Sequence, residues 1–226
     1  VFVIYALLGL YLAGVFGNTI GFHRYFTHQS FSVNRFWHYT FLVLGSMTGQ
    51  GSLIFWTSLH LHHHRNSDND KDVHSPRRGF WKSTILWQVK SDFHNTPGLI
   101  APKKLYRDKV VKFFHYHYYK LYWAVGVILA LIDIYFFLFF FCVGAFFLTS
   151  ILDNMSNFLM HWPGVGYVNF ETKDSSRNVP IIAYISLGGG WHNNHHHDPK
   201  NYRFGVFPKE YDIGARIIDL IKEKNV

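Results

Sequence analysis

The sequence predicts an all-α fold: an integral membrane helical bundle with a cytosolic helical cap that carries clusters of histidine. Three observations predict it. Only 16% of the 226 residues are charged while 49% are hydrophobic, against about 25% charged in ordinary soluble domains. The charges are segregated, with no Asp, Glu, Lys or Arg in residues 1–22 and only Asp133 in residues 121–152. Sixteen histidines are present, many in clusters beside the ends of apolar stretches. This composition excludes a disordered chain. The single cysteine, Cys142, excludes an internal disulfide framework and a cysteine-based zinc ribbon.

The elements follow in order. Residues 1–22 form the first predicted span, since 22 helical residues reach about 33 Å, enough for one bilayer crossing. No charged leader or small-residue cleavage site marks a signal peptide. Residues 33–57 are apolar but interrupted by Gly45, Ser46, Gly49, Gln50, Gly51 and Ser52, which predicts one interfacial helix. Residues 58–112 are polar and broken by Pro76, Pro97 and Pro102, the first part of the cap. The stretch from Tyr122 to Leu152 is too long for one crossing and short for two. Flanking residues turn it into a hairpin, with spans over 114–132 and 134–158 and a break near Asp133. Residues 162–226 complete the cap, with an amphipathic helix near 211–224. A hairpin has both ends on one side, so residue 1 lies on the other. A further span upstream is therefore expected.

Lys and Arg number 22 against 14 Asp and Glu, a formal charge of +8. The positives lie between and after the apolar stretches (Lys103, Lys104, Arg107, Lys109 and Lys112, then Lys200 to Lys224) and form no compact run. That pattern marks cytosolic loops and membrane lipid rather than nucleic acid.

Three histidine clusters carry the chemistry: His23-Arg-Tyr-Phe-Thr-His28, His60-Leu-His-His-His64, and His192-Asn-Asn-His-His-His197. On a helix, positions i, i+3 and i+4 share a face. His60, His63 and His64 therefore converge while His62 points away; His192, His195 and His196 converge while His197 does not. His23 and His28 stand about 140° apart on an α-helix, so they are expected to flank a site and serve different ions. Asn157 and His161, four apart at the end of the last span, join them. One zinc needs three or four ligands; nine imidazoles suit two ions of higher coordination. Imidazole does not by itself name the metal. Asp68, Asp70 and Asp72 are candidates to accept the other ring N–H and orient the ligands.

These strings, GFHRYFTHQSF, HLHHHRNSDNDKDVHSPRRGFW and GWHNNHHHDP with ETKDSSRN before the last, resemble the membrane fatty acyl desaturase family, in its acyl-CoA and acyl-lipid Δ9-type branch. The resemblance runs from Ile20 to about Ile218. It implies four transmembrane helices and a cytosolic cap around a di-iron site. It also implies insertion of a cis double bond into a saturated acyl chain using O₂ and two electrons. The family's ligands fall on His23, His28, His60, His63, His64, His161, His192, His195 and His196, with Asn157 acting through water. Gln50 and Trp56 fall where the family lines its acyl tunnel. Two departures stand out: Gly189 where the family often has Glu, and Thr84 where it often has His. The first span of the family is absent from this chain.

Removing hydrogen from an unactivated CH₂ requires a redox metal, which the protein can only position and shield. No haem-attachment motif or dinucleotide fingerprint is present, so electrons come from a separate donor such as cytochrome b5 or ferredoxin. The acyl group arrives on CoA, a lipid or a carrier protein. The alternatives are a related histidine-box hydroxylase and a non-enzymatic metal transporter. A transporter wants polar residues within the spans, and the apolar stretches offer few.

Overall fold

The computed structural model describes residues 1–72, 74–87 and 99–223. Pro97, Lys224 and the part of the cap over 88–98 lie outside the described residues. The described residues are helical and contain no strand, only isolated bridges of Asn178 to Tyr167 and to Trp191.

Helix α1 runs Phe2–Thr27. It is followed by α2 (Arg35–Ser46) and α3 (Leu53–Asn66). After a polar segment come α4 (Lys103–Arg107), α5 (Lys109–Tyr116), α6 (Tyr118–Ile132) and α7 (Ile134–Met160). The remainder carries α8 (Pro180–Ile185), α9 (His192–His197) and α10 (Ile213–Ile221). Helices α1 and α7 are long and apolar enough to cross a membrane; α6 is apolar but shorter. Their outer faces expose large apolar side chains, among them Val3, Ile4, Trp123, Val127, Leu131 and Phe147.

Small residues let the long helices touch. A Cβ on Gly9 would sit 2.0 Å from the Phe140 carbonyl oxygen, and one on Gly144 would sit 2.2 Å from that of Ala6. The α1–α7 contact is therefore backbone on backbone, a closeness that only small residues permit. Farther along α1, Gly17 meets Gly45 of α2 and Gly21 meets Phe41. From Leu10 to Thr27 the α1 backbone winds in wider i→i+5 turns, ending with the His28 amide donating to the His23 carbonyl at 3.1 Å.

The segment read as one interfacial helix over 33–57 is two helices. Gly49 (φ 73°) and Gly51 (φ 94°) take left-handed conformations that end α2. Ser52 then caps α3, accepting from the Phe55 amide at 3.3 Å. The Tyr118 hydroxyl pins the turn, donating to the Ser46 carbonyl and accepting from the Gly51 amide, both at 3.2 Å. Where a span was expected over 114–132, α6 begins at Tyr118, because the chain bends at His117 (φ −110°) between α5 and α6. The break before α7 falls on Asp133, whose carboxylate accepts from the Tyr135 and Phe136 amides.

The C-terminal segment is fastened to the end of α1. Arg24, fully buried, pairs with Asp212 at 3.1 Å and lies 3.8 Å over the Phe204 ring. Asp212 also caps α10 through the Ala215 amide. A half-broken buried pair is costly, so this contact holds α9 and α10 against the residues next to His23.

The close α1–α7 contact predicts the effect of added methyls. Gly9→Ala or Gly144→Ala forces the backbones apart and costs about 1–3 kcal/mol. Gly126→Ala, whose methyl would meet only the ring edges of Phe137 and Phe141 at 3.2 Å, costs less. Thermal unfolding in detergent checks this ranking; an equal shift at all three positions contradicts it.

Candidate metal centre

Four elements deliver the histidines. The end of α1 supplies His23 and His28. Helix α3 supplies His60, His63 and His64, the end of α7 leads to His161, and α9 supplies His192, His195 and His196. They gather in two sets, His23, His28, His60, His64 and His195 in one, and His63, His161, His192 and His196 in the other. Asn157 belongs to neither; its side-chain amide donates to the His74 carbonyl at 3.3 Å.

His23 and His28 share one set, against the expectation that they serve different ions. The reason is the backbone. Wider turns bring residues five apart nearly into line, where an α-helix would hold them apart. Within α3, the near-common face divides: His60 and His64 turn to the five-histidine set and His63 to the other. His62 is directed elsewhere, 3.0 Å from the Lys71 carbonyl. His197 stacks on Phe170 with ring centres 4.1 Å apart.

In each set the Nε2 atoms face inward. The separations are 3.0 Å for His23–His195, 3.1 Å for His195–His64, 2.9 Å for His64–His60, 3.1 Å for His60–His28 and 2.9 Å for His161–His192. Imidazoles bound about 2.1 Å from one ion at right angles stand about 3.0 Å apart, and tetrahedral neighbours about 3.4 Å. The observed spacing fits neighbouring ligands of an ion of higher coordination.

Carboxylates decide which nitrogen is free. Asp72 lies 3.0 Å from His63 Nδ1, Asp68 lies 3.1 Å from His161 Nδ1, and Asp174 lies 2.6 Å from His196 Nδ1. An ionised carboxylate only accepts, so each Nδ1 carries the proton and each Nε2 presents a lone pair. His63 Nε2 and His196 Nε2 are buried with no hydrogen-bonding partner. Buried acceptors in that condition are costly unless a cation meets them. The donor set therefore fits a metal.

The acid roles differ from the expected ones at one position. Asp68 and Asp72 orient histidines, but Asp70 is exposed, and its contact is a backbone one, its carbonyl accepting from Arg78. The third carboxylate is Asp174, which the sequence reading passed over although it lies inside the quoted ETKDSSRN string. Asp68 reaches inward from a left-handed residue (φ 61°) and is held by the Ser175 amide and hydroxyl. His74, also overlooked, is half-buried against His63 with ring centres 4.6 Å apart.

Burial sets the charge state. It holds His60, His64, His192 and His195 far below the usual imidazole pKa of 6.5, with neighbouring histidines adding to the effect. Burial also pushes His63 down, but the Asp72 carboxylate outweighs it and holds that ring above 6.5. Asp72 and Asp174 resist protonation: burial raises them, but their histidine partners more than offset it. Neutral rings are what metal ligation requires.

A cavity of about 620 Å³ opens beside the two sets, lined in part by His23, His60 and His192. Gln50 and Trp56 line it too. The Trp56 indole donates to Gln50 Oε1 at 2.8 Å and stacks on His60 with ring centres 5.0 Å apart. Gly189 lies on the cavity wall, where a Cβ would crowd Ser186 Oγ at 2.8 Å. Thr84 is buried and spends its hydroxyl on the Phe80 carbonyl.

Residues 2–213 match the family model of fatty acid desaturases. The chain is 30% identical over 224 residues to the sn-1 stearoyl-lipid 9-desaturase of Anabaena variabilis, covering 96% of this chain and 79% of that protein. It is 32% identical over 224 residues to Delta-9 acyl-lipid desaturase 1 of Arabidopsis thaliana, covering 94% and 70%. It is 32% identical over 219 residues to the acyl-CoA C20 Delta5-desaturase of Anemone leveillei, covering 93% and 68%.

Two predictions follow from the carboxylate and burial pattern. Asp174→Asn loosens His196 and lowers metal affinity about 10–100-fold, whereas Asp70→Asn leaves it unchanged; metal titration against a competing chelator checks this. In the metal-free protein, an unfolded chain takes up protons below pH 6.5 on depressed rings such as His60, His64, His192 and His195 while the folded chain does not. Unfolding then binds protons, so stability falls as pH drops through that value. His63 acts oppositely. Thermal midpoints with chelator present should fall on acidification below pH 6.5; midpoints that rise contradict the burial of neutral rings.

Proposed function

The chain belongs to the fatty acid desaturase family, and on that premise we propose that it removes two hydrogens from adjacent carbons of a saturated acyl chain to leave a cis double bond. The observation that carries this reading is the pair of imidazole sets bordering a cavity large enough for a chain segment. The proposed ligands are His23, His28, His60, His64 and His195 for one iron, and His63, His161, His192 and His196 for the other. Asn157 acts on the second through water.

When bound, the iron pair supplies the oxidising power that side chains lack. The overall reaction balances with dioxygen as oxidant. Two electrons come from the two C–H bonds, two come with two protons from outside, and O₂ leaves as two waters. The protein's own residues orient and enclose. The cavity holds the chain so that particular carbons lie beside His23, His60 and His192, which converts chain shape into the position of the double bond. Asp68, Asp72 and Asp174 keep His161, His63 and His196 in the ligating tautomer.

Helices α1, α6 and α7 are proposed to sit in the bilayer, with the histidine sets on the cytosolic side. The basic residues of the cap meet anionic head groups and an acidic electron-carrier protein such as cytochrome b5 or ferredoxin. The acyl group arrives on a lipid or on CoA, as the names of the relatives suggest.

Expression in a host that makes no unsaturated acyl chains, followed by gas chromatography of its lipids, tests the activity. A cis-monounsaturated product supports desaturation; a hydroxylated product replaces it with the hydroxylase reading. In the same host His63→Ala abolishes the product and His62→Ala retains it. Equal loss at both positions contradicts the division of the second cluster.

A further inference from the structure

One acidic side chain of α7 is used by nothing described so far. Asp153 lies on the wall of the cavity, seven residues before the end of the helix. An ionisable residue inside an apolar helix is costly and points to a specific role. Its Oδ2 accepts from the Asn18 side-chain amide at 2.8 Å and from the Gln50 amide at 2.6 Å. Gln50 Oε1 in turn accepts from Trp56 Nε1 and from Asn18 Nδ2.

This network is short of donors. A carboxylate only accepts, so Asn18 must turn its Nδ2 toward Asp153 and its Oδ1 away. Asn18 is 2% exposed, and that Oδ1 has no hydrogen-bonding partner. Both contacts to Asp153 fall on Oδ2, and among the described residues Oδ1 takes none. Asn18 Oδ1 is closed off within the protein, so the acceptor that faces the cavity without a protein donor is Asp153 Oδ1. An unsubstituted hydrocarbon chain offers Asp153 Oδ1 nothing, whereas a ligand O–H meets it.

We propose that Asp153, with Asn18 and Gln50, forms a recognition subsite for a hydroxyl group on the acyl chain, so that the substrate class includes mid-chain hydroxyacyl groups. The proposal rests on the desaturase reading for its acyl ligand. The subsite lies one side chain from the five-histidine set, because Trp56 bonds Gln50 and stacks on His60. The recognised hydroxyl therefore sits near the carbons held beside the histidines.

The test measures binding to the full chain by quenching of tryptophan fluorescence, with Trp56 on the cavity wall as reporter and without turnover. The probes are octadecanoyl-CoA, a positional series of monohydroxyoctadecanoyl-CoA, and the matching oxo compounds. Conditions are mildly alkaline, so that the carboxyl is ionised. A hydrogen bond to a charged group corresponds to a factor of about ten or more. One hydroxyl position should bind about tenfold tighter than the unsubstituted chain, and the oxo compound at that position should bind more weakly than the hydroxyl. Asp153→Asn keeps the shape and directs an amide N–H into the cavity, so it should reverse the preference in favour of the oxo chain. Asp153→Leu should favour the unsubstituted chain. Equal binding of all three chains, or an Asp153→Asn protein with unchanged preference, overturns the hydroxyl subsite and leaves the desaturase reading standing. Failure of every chain to bind, both as the CoA ester and as the matching lipid ester, overturns both.

Discussion

The arrangement depends on buried nitrogen lone pairs that face one another. Histidine Nε2 atoms about 3 Å apart, shut away from water, repel unless something positive lies among them. Three carboxylates remove the simplest escape. By taking the Nδ1 protons of His63, His161 and His196, they prevent those rings from turning an N–H inward. His63 Nε2 and His196 Nε2 are left buried in this pocket with no hydrogen bond from the protein. The surrounding helices exist to hold that pocket shut.

The bundle meets this demand with close contacts rather than with a large core. Backbone-to-backbone packing of α1 on α7 fixes the two helices whose ends bring His23, His28 and His161. The wide turns of α1 place His23 and His28 on one side. The Arg24–Asp212 pair then clamps the C-terminal segment over the end of α1, which seats α9 with its three ligands. Carboxylates from two separate loops finish the pocket, and Ser175 ties those loops together by bonding Asp68. The same helices that form the pocket line the cavity, so chain position and metal position share one scaffold.

Much of this was legible in the sequence because it is periodic. The i, i+3, i+4 spacing in the second and third clusters separates the inward histidines from His62 and His197. The apolar stretches announce α1, α6 and α7. What was not legible depends on tertiary structure. The wide turns that align His23 with His28 leave no periodic trace. Asp174 reaches His196 from an irregular loop, while Asp70 sits between two useful neighbours but faces solvent, since the left-handed turn at Asp68 sets the directions of the loop. Gly49 and Gly51 were visible, yet only their positive φ values show that they divide two helices. Asp153 lies one residue past the nearly charge-free stretch 121–152, and only the fold shows that it lines the cavity.

The central claim is that the converging imidazoles hold metal. The most direct measurement is elemental analysis of the purified full chain combined with X-ray absorption at the iron edge. The account predicts close to two irons per chain, each surrounded by nitrogen ligands. Protein that is folded and active as a desaturase yet carries no bound transition metal, or iron in a sulfur-rich environment, contradicts it.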